Sequence, residues 1–262
     1  MKTGRYLKMT RDFHSLHVDD IAKEAAEEAL ANLGEKSIPG GKYPIVFRSD
    51  ASASLLDTFM PILSAENAQK DQSLLKGKVG QKVASEAVTL LSTPFHPAAL
   101  SGANFDGEGV ATKEQEIILE GTLQTLLHNR KTAKKDNCET TGHAHKDSYK
   151  GTLTIAPQIL YISTGEKSLD ELIHSVSNGV FITELSGLHS GTNTVTGDFS
   201  VAAKGFHIQN GKIASPVKQM TIAGNFFEFL KDIKETSSEL YFLPKGYGSS
   251  SLLVKELSVT VE

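Results

Sequence analysis

The sequence predicts an α+β fold in which a curved, mostly antiparallel sheet carries flanking helices. Three observations predict it. Between Leu185 and Lys212, Phe199, Val201 and Ala203 alternate with Ser200, Ala202 and Lys204, amid glycines at 187, 191, 197, 205 and 211. Alternation of this kind marks a half-buried strand. Phe206 and Ile208 then lead to Asn210-Gly211, the dipeptide best suited to a tight hairpin whose central residues need positive φ. Strand patterns also outnumber helical ones and are joined by hairpin signals, which favours α+β over a βαβ arrangement.

Each element follows in order. Val18, Ile21, Ala22, Ala25, Ala26, Ala29, Leu30 and Leu33 form an apolar stripe at helical spacing, so Asp19 to Leu33 reads as helix. Asp19 and Asp20 suit its first turn and Gly34 its stop. Pro39-Gly40-Gly41 reads as a turn and Tyr43 to Phe47 as a short strand. Ala51 to about Leu63 reads as helix, limited by Pro61. Val83 to Leu91 reads as strand, and Ser92 to Gly109, with its Pro, His and Gly, as loop. Ile117 to His128 holds two strands around Glu120-Gly121, followed by a helical turn from Arg130 to Asp136. Ile155 to Ile162 is strand, Ser168 to Val176 helix, and Val180 to Leu185 strand. Gly224 to Lys234 reads as helix with Phe226, Phe227, Leu230 and Ile233 inward, and Leu252 to Val261 as the last strand.

Composition excludes several classes of function. A chain with 39% hydrophobic and 22% charged residues is ordinary for a globular protein. No run approaches the roughly 20 apolar residues of a membrane helix, and MKTGRYLKMTRDFH lacks the apolar core of a secretory signal. The single cysteine, Cys138, forbids an internal disulfide and fits a reducing, cytoplasmic setting. A net charge of -4 argues against general nucleic-acid binding, which needs a concentrated basic surface. The one basic cluster, His128 to Lys135, reads as a solvated helix end.

Four segments carry a resemblance. They are GLHSGTNTVTGDFSVAAKGFHIQNGKI from Gly187, PVKQMTIAGNFFEFLKDI from Pro216, FDGEGVATKEQEIILEGTL from Phe105 and TGHAHK from Thr141. In order and spacing they resemble the C-terminal half of the TldD/PmbA metallopeptidase family, closest to the PmbA (TldE) branch. The resemblance covers the chain from about Val18. It implies residues 1–17 as an N-terminal lead-in segment and 18–262 as a C-terminal-domain-like unit. It also implies that the N-terminal domain typical of family members is absent from this chain.

In the TldD branch zinc is held by a His-Glu-x-x-x-His helix and a distant cysteine. Zinc needs such neutral imidazoles or thiolate in tetrahedral array, with one position open to water. The positions that the resemblance aligns here are Asp57, Thr58 and Ile62, and no histidine occurs between His17 and His96. The region corresponding to the cysteine reads LPKGYGSSS. The resemblance therefore implies no metal and no catalytic residue on this chain, with zinc supplied by a TldD-like partner. The implied function is that of the non-zinc-bearing subunit of a TldD–TldE-type metallopeptidase that cleaves extended or unfolded peptides. The alternative is a stand-alone peptide-binding or interaction module without hydrolytic activity, gripping peptides through sheet edges. Exposed edges also suggest a homodimer through the Gly187–Gly211 region.

Candidate groove residues are Asp106, Glu108, His143, His145, His189 and Ser190. Asp106 and Glu108 are a carboxylate pair that acts as acid and base if environments split their pKa values. Asp-Gly and Glu-Gly are equally ordinary turn chemistry. His143-x-His145 places two imidazoles on one side of a strand near Cys138, but no fourth ligand is evident and the spacing matches no common site. His189-Ser190 lacks the Gly-x-Ser-x-Gly spacing of a nucleophile elbow and reads as a small-residue loop that an extended peptide can approach.

Overall fold

In the computed structural model, which describes residues 3–261, the last strand of the chain decides the architecture. The helices are α1 (Val18–Ala31), α2 (Ser49–Phe59), α3 (Ala65–Gln69), α4 (Arg130–Asp136), α5 (Leu169–His174) and α6 (Phe226–Asp232). The strands begin with β1 (Gly41–Phe47), β2 (Leu90–Thr93), β3 (Gln115–Leu119), β4 (Thr122–Leu123), β5 (Ala144–His145) and β6 (Thr154–Ile155). They continue with β7 (Ile159–Ile162), β8 (Asn178–Ser186), β9 (Asp198–Gln209), β10 (Lys212–Pro216), β11 (Met220–Asn225), β12 (Ile233–Phe242) and β13 (Tyr247–Val261). The pairings β1–β8, β8–β9, β9–β11, β11–β13 and β13–β1 close on themselves. All but β1–β8 are antiparallel. Closure leaves this ring no free edge.

β13 has 15 residues and does two jobs. Its far end closes the ring. Its near end, Tyr247-Gly248, pairs parallel with β7 and so starts a second run, β7-β2-β3-β4. The fold is sheet-dominated α+β, as the alternation predicted. Phe199, Val201 and Ala203 are buried, at 2–4% exposure. Asn210 (φ 52) and Gly211 (φ 71) make the forecast tight turn between β9 and β10. At Gly205 a Cβ would lie 2.0 Å from the Phe181 carbonyl, so only glycine permits this approach of β9 to β8. The rings of Phe59 and Phe226 stack at 4.3 Å, with Phe229 beside Phe226, tying α2 to α6 in the main core.

Several expectations need correction. Val83 to Leu91 is not a strand until Leu90. Val83 and Ala84 are buried because both donate backbone hydrogen bonds to the Gly121 carbonyl, so their apolar character reflects burial in a loop. Gly224 to Lys234 is helical only over α6, since β11 runs into it and β12 leaves it. The start of β13 was missed because its Ser249, Ser250 and Ser251 read as polar loop. They are buried and bonded: Ser249 Oγ donates to the Ser250 carbonyl at 2.9 Å, Ser250 Oγ to the Ser163 carbonyl at 3.2 Å, and the Ser251 N–H to Ser237 Oγ at 2.9 Å. The α1 stripe is not core. No α1 residue is buried, and Val18 and Leu30 are exposed. α1 is held instead by Glu28 on Arg48 at 3.2 Å, with Arg48 also on Asp50 at 2.7 Å. The edges proposed for dimer formation are also largely closed, because β9 is paired on both sides; the outer side of β10 carries no strand among the described residues.

Candidate functional site

The FDGEG and TGHAH segments meet. Asp106 is buried, and its carboxylate accepts three backbone N–H groups: Glu108 and Val110 at 2.9 Å each on Oδ1, and Ala144 at 3.0 Å on Oδ2. The first two fold the Gly-rich turn and the third clamps it to β5. Gly107 donates to the Ala144 carbonyl at 2.7 Å, completing the clamp. Glu108 turns outward, and its Oε2 accepts from the Arg130 N–H at 2.8 Å, at the start of α4. Asn129 and Thr132 complete that start with a reciprocal capping box.

His143 lies behind this clamp, 4% exposed. Its Nε2 is 2.8 Å from Ser92 Oγ on β2 and its Nδ1 is 2.7 Å from Thr141 Oγ1. Burial pushes its pKa down to about 4, against the opposing charge of Asp106. The His128 N–H donates to Thr141 Oγ1 at 2.7 Å, and burial likewise lowers the pKa of His128. Ser92 and His143 stand at nucleophile–base distance. Ser92, however, is only 2% exposed, and the imidazole is oriented by a threonine hydroxyl instead of a carboxylate. The arrangement is a satisfied polar lock between loops, closed to substrate. Sequence reasoning missed Ser92, Thr141 and His128. Only the Thr-Gly-His spacing hinted at Thr141.

The remaining candidates do not join it. His145 is half-buried and faces Asp147, 3.1 Å from its Oδ1. Cys138 is exposed and lies 3.8 Å from His128 Nε2, so the group Cys138, His143 and His145 is not assembled. Among the described residues no three His, Cys, Asp or Glu side chains are placed to hold a metal. His189 and Ser190 are exposed in the turn after β8, where Ser190 and Gly191 donate to the Gly187 carbonyl. That turn belongs to the ring of strands, whereas Asp106 lies in the loop between β2 and β3 and His143 directly precedes β5, which pairs with β6 in a separate two-stranded sheet.

A second polar corner forms where α2 ends. Lys245 Nζ lies 3.5 Å from Asp57 Oδ2, which brings α2 against the LPKGYGSSS segment. Tyr247 is buried beside them, and burial, then the Asp57 charge, push its phenol pKa up. In register, Tyr247 pairs with Leu160 and Leu160 with Ser92. Paired residues share a face, so the lock and the corner stand on one face, about 10 Å apart across two strand spacings. The corner does not suit zinc. It offers one carboxylate and an ammonium group in place of imidazole and thiolate, and Ile62 is buried in the main core.

A ring of strands extended by one long terminal strand into a second run, bearing these Gly-rich loops, defines a class of domain found in metallopeptidase relatives. The family model of the PmbA/TldA metallopeptidase C-terminal domain matches residues 40–261, and the chain belongs to that family. A Thermotoga maritima protein described as a candidate modulator of a DNA gyrase superposes with TM-score 0.90 at 41% identity, over 96% of this chain and 57% of its own. TldE from Thermococcus kodakarensis superposes with TM-score 0.87 at 28% identity, again over 96% and 57%. A metalloprotease PmbA homolog of Haemophilus influenzae is 28% identical over 84% of this chain and 46% of its own length. The chain thus spans about half the length of the curated relatives it matches. No helix among the described residues is long and apolar enough to cross a membrane.

Proposed function

We propose that this chain is a TldE/PmbA-like subunit of a TldD–TldE-type metallopeptidase, contributing scaffold and substrate channel while a TldD-like partner brings the zinc. One observation carries the reading: the Lys245 ammonium stands 3.5 Å from Asp57, at the corner where the zinc-bearing branch has a ligand helix facing a cysteine. A cation already neutralising the carboxylate disfavours a metal ion there. The kinship with metalloprotease PmbA homologs and with TldE supports the same assignment. The substrate on this reading is an extended or unfolded peptide, and the setting is the cytoplasm.

Metal analysis after dialysis checks the zinc-free half of the proposal, with less than stoichiometric zinc expected. Co-expression with a homologue that bears the His-Glu-x-x-x-His motif, followed by incubation with an unfolded peptide, checks the other half. Chelator-sensitive cleavage is expected from the pair and not from this chain alone. Cleavage by the pure chain would refute the assignment.

A further inference from the structure

The face of the second run of strands opposite the polar lock carries an unassigned row. In register across five strands stand Phe242 on β12, Gly248 on β13, Tyr161 on β7, Leu91 on β2 and Glu116 on β3. Paired residues point the same way, so this is one continuous strip. Gly248 has no side chain, and the Phe242 ring fills its place: a Cβ there would lie 2.5 Å from that ring. The Tyr161 and Phe242 rings meet at 5.7 Å, and His96 caps both at 5.3 and 4.7 Å. Exposure rises along the strip. Phe242 is buried, Tyr161 and Leu91 are half-buried, and Glu116 is exposed. Glu114, two residues earlier and so on the same side, adds a second exposed carboxylate. The strip is an aromatic shelf with an acidic rim.

Part of the chain already rests at its border. Ala99, in the loop that carries His96, packs with Phe242 and Ile159. Arg11, in the irregular segment before α1, donates from Nη2 to the carbonyls of Ala99 and Leu100 at 3.3 and 3.2 Å. A guanidinium is thus held by backbone carbonyls of the loop that carries His96, while Phe13 in the same segment stays exposed. The chain holds its own basic segment at the border of this surface without filling it.

We propose that the shelf binds an extended peptide carrying a basic side chain, and that the Arg11 segment is its resident competitor. The half-buried Tyr161 ring and Leu91 take the apolar part of such a side chain, with Phe242 backing them, and Glu114 and Glu116 take its charge. Arginine suits both, because its planar guanidinium stacks on aromatic faces and pairs with carboxylates. The proposal rests on the reading of the chain as a peptide-handling subunit and adds a substrate class to it.

The test is fluorescence anisotropy at low ionic strength, with a labelled unstructured peptide of alternating Arg, Ser and Gly. Glu114→Gln with Glu116→Gln is expected to weaken binding about fivefold, as for loss of solvent-exposed ion pairs. Arg11→Ala is expected to tighten it. A control, Glu24→Gln with Glu27→Gln on α1, removes the same charge elsewhere and is expected to change nothing. These side chains are exposed, and thermal melts verify that each variant folds. Unchanged affinity in the shelf variant, equal loss in the α1 control, or unchanged affinity in Arg11→Ala overturns the proposal. The readout is binding without cleavage, so a failed co-expression assay and a failed shelf are separate results.

Discussion

The polar lock and the polar corner share one face of one sheet and are built on opposite principles. Around Asp106 and His143 the polar groups are buried or half-buried and bonded: three N–H groups on one carboxylate, two hydroxyls on one imidazole. Around Asp57 the Lys245 side chain is 74% exposed and the ion pair is 3.5 Å long. Burial makes each partner in the lock expensive to remove, because the survivor is left without water. Solvent makes the corner tolerant of change. Chemistry of this kind is therefore easier to lose or replace at the corner than at the lock.

Three experiments break or sharpen that contrast. The largest effect is expected from Asp106→Ala, which orphans three backbone donors at once. A loss of roughly 3–5 kcal/mol is expected in urea or thermal unfolding, with Asp106→Asn costing less because an amide oxygen still accepts. A loss below about 1 kcal/mol would mean the turn and β5 hold together without the clamp.

Next comes pH. His143 ordinarily titrates near 6.5 and is held at about 4 in the fold, so the unfolded chain binds more protons between those values. Stability therefore rises with pH through that window: it is fully present above 6.5 and is lost as pH falls toward 4. The term is on the order of 3 kcal/mol. Burial of His128 acts in the same direction. Unfolding curves of the parent and His143→Gln, measured from pH 7 to pH 4, should converge as the parent loses this term. Parallel curves would show that His143 is not the titrating group.

The smallest effect is expected at the corner. Lys245→Ala removes a solvent-screened pair and should shift stability by less than about 1 kcal/mol. A shift comparable to Asp106→Ala would show the corner to be as tightly built as the lock.

What was legible in the sequence is what a few neighbouring residues decide. The helix at Arg130–Asp136 follows from Asn129 and Thr132 capping each other, and the turn at Asn210-Gly211 from two residues that accept positive φ. The meeting of FDGEG with TGHAH was not written locally, since Asp106 reaches Ala144 across 38 residues. Ser92 could not be found because one serine in a strand carries no pattern until a histidine lies opposite it.

The sequence by itself determined the α+β class, the periodicity of β9, the family, and the lack of histidine along α2. The tertiary structure alone decided that β13 closes the ring against β1, that the serines of β13 are buried, and that the apolar stripe of α1 stays outside the core. The physical reason is range. Turns, caps and alternation are set by the rotational freedom and hydrogen bonding of adjacent residues, whereas pairing Tyr43 with Leu257 is settled only when distant segments compete to cover the same apolar surface.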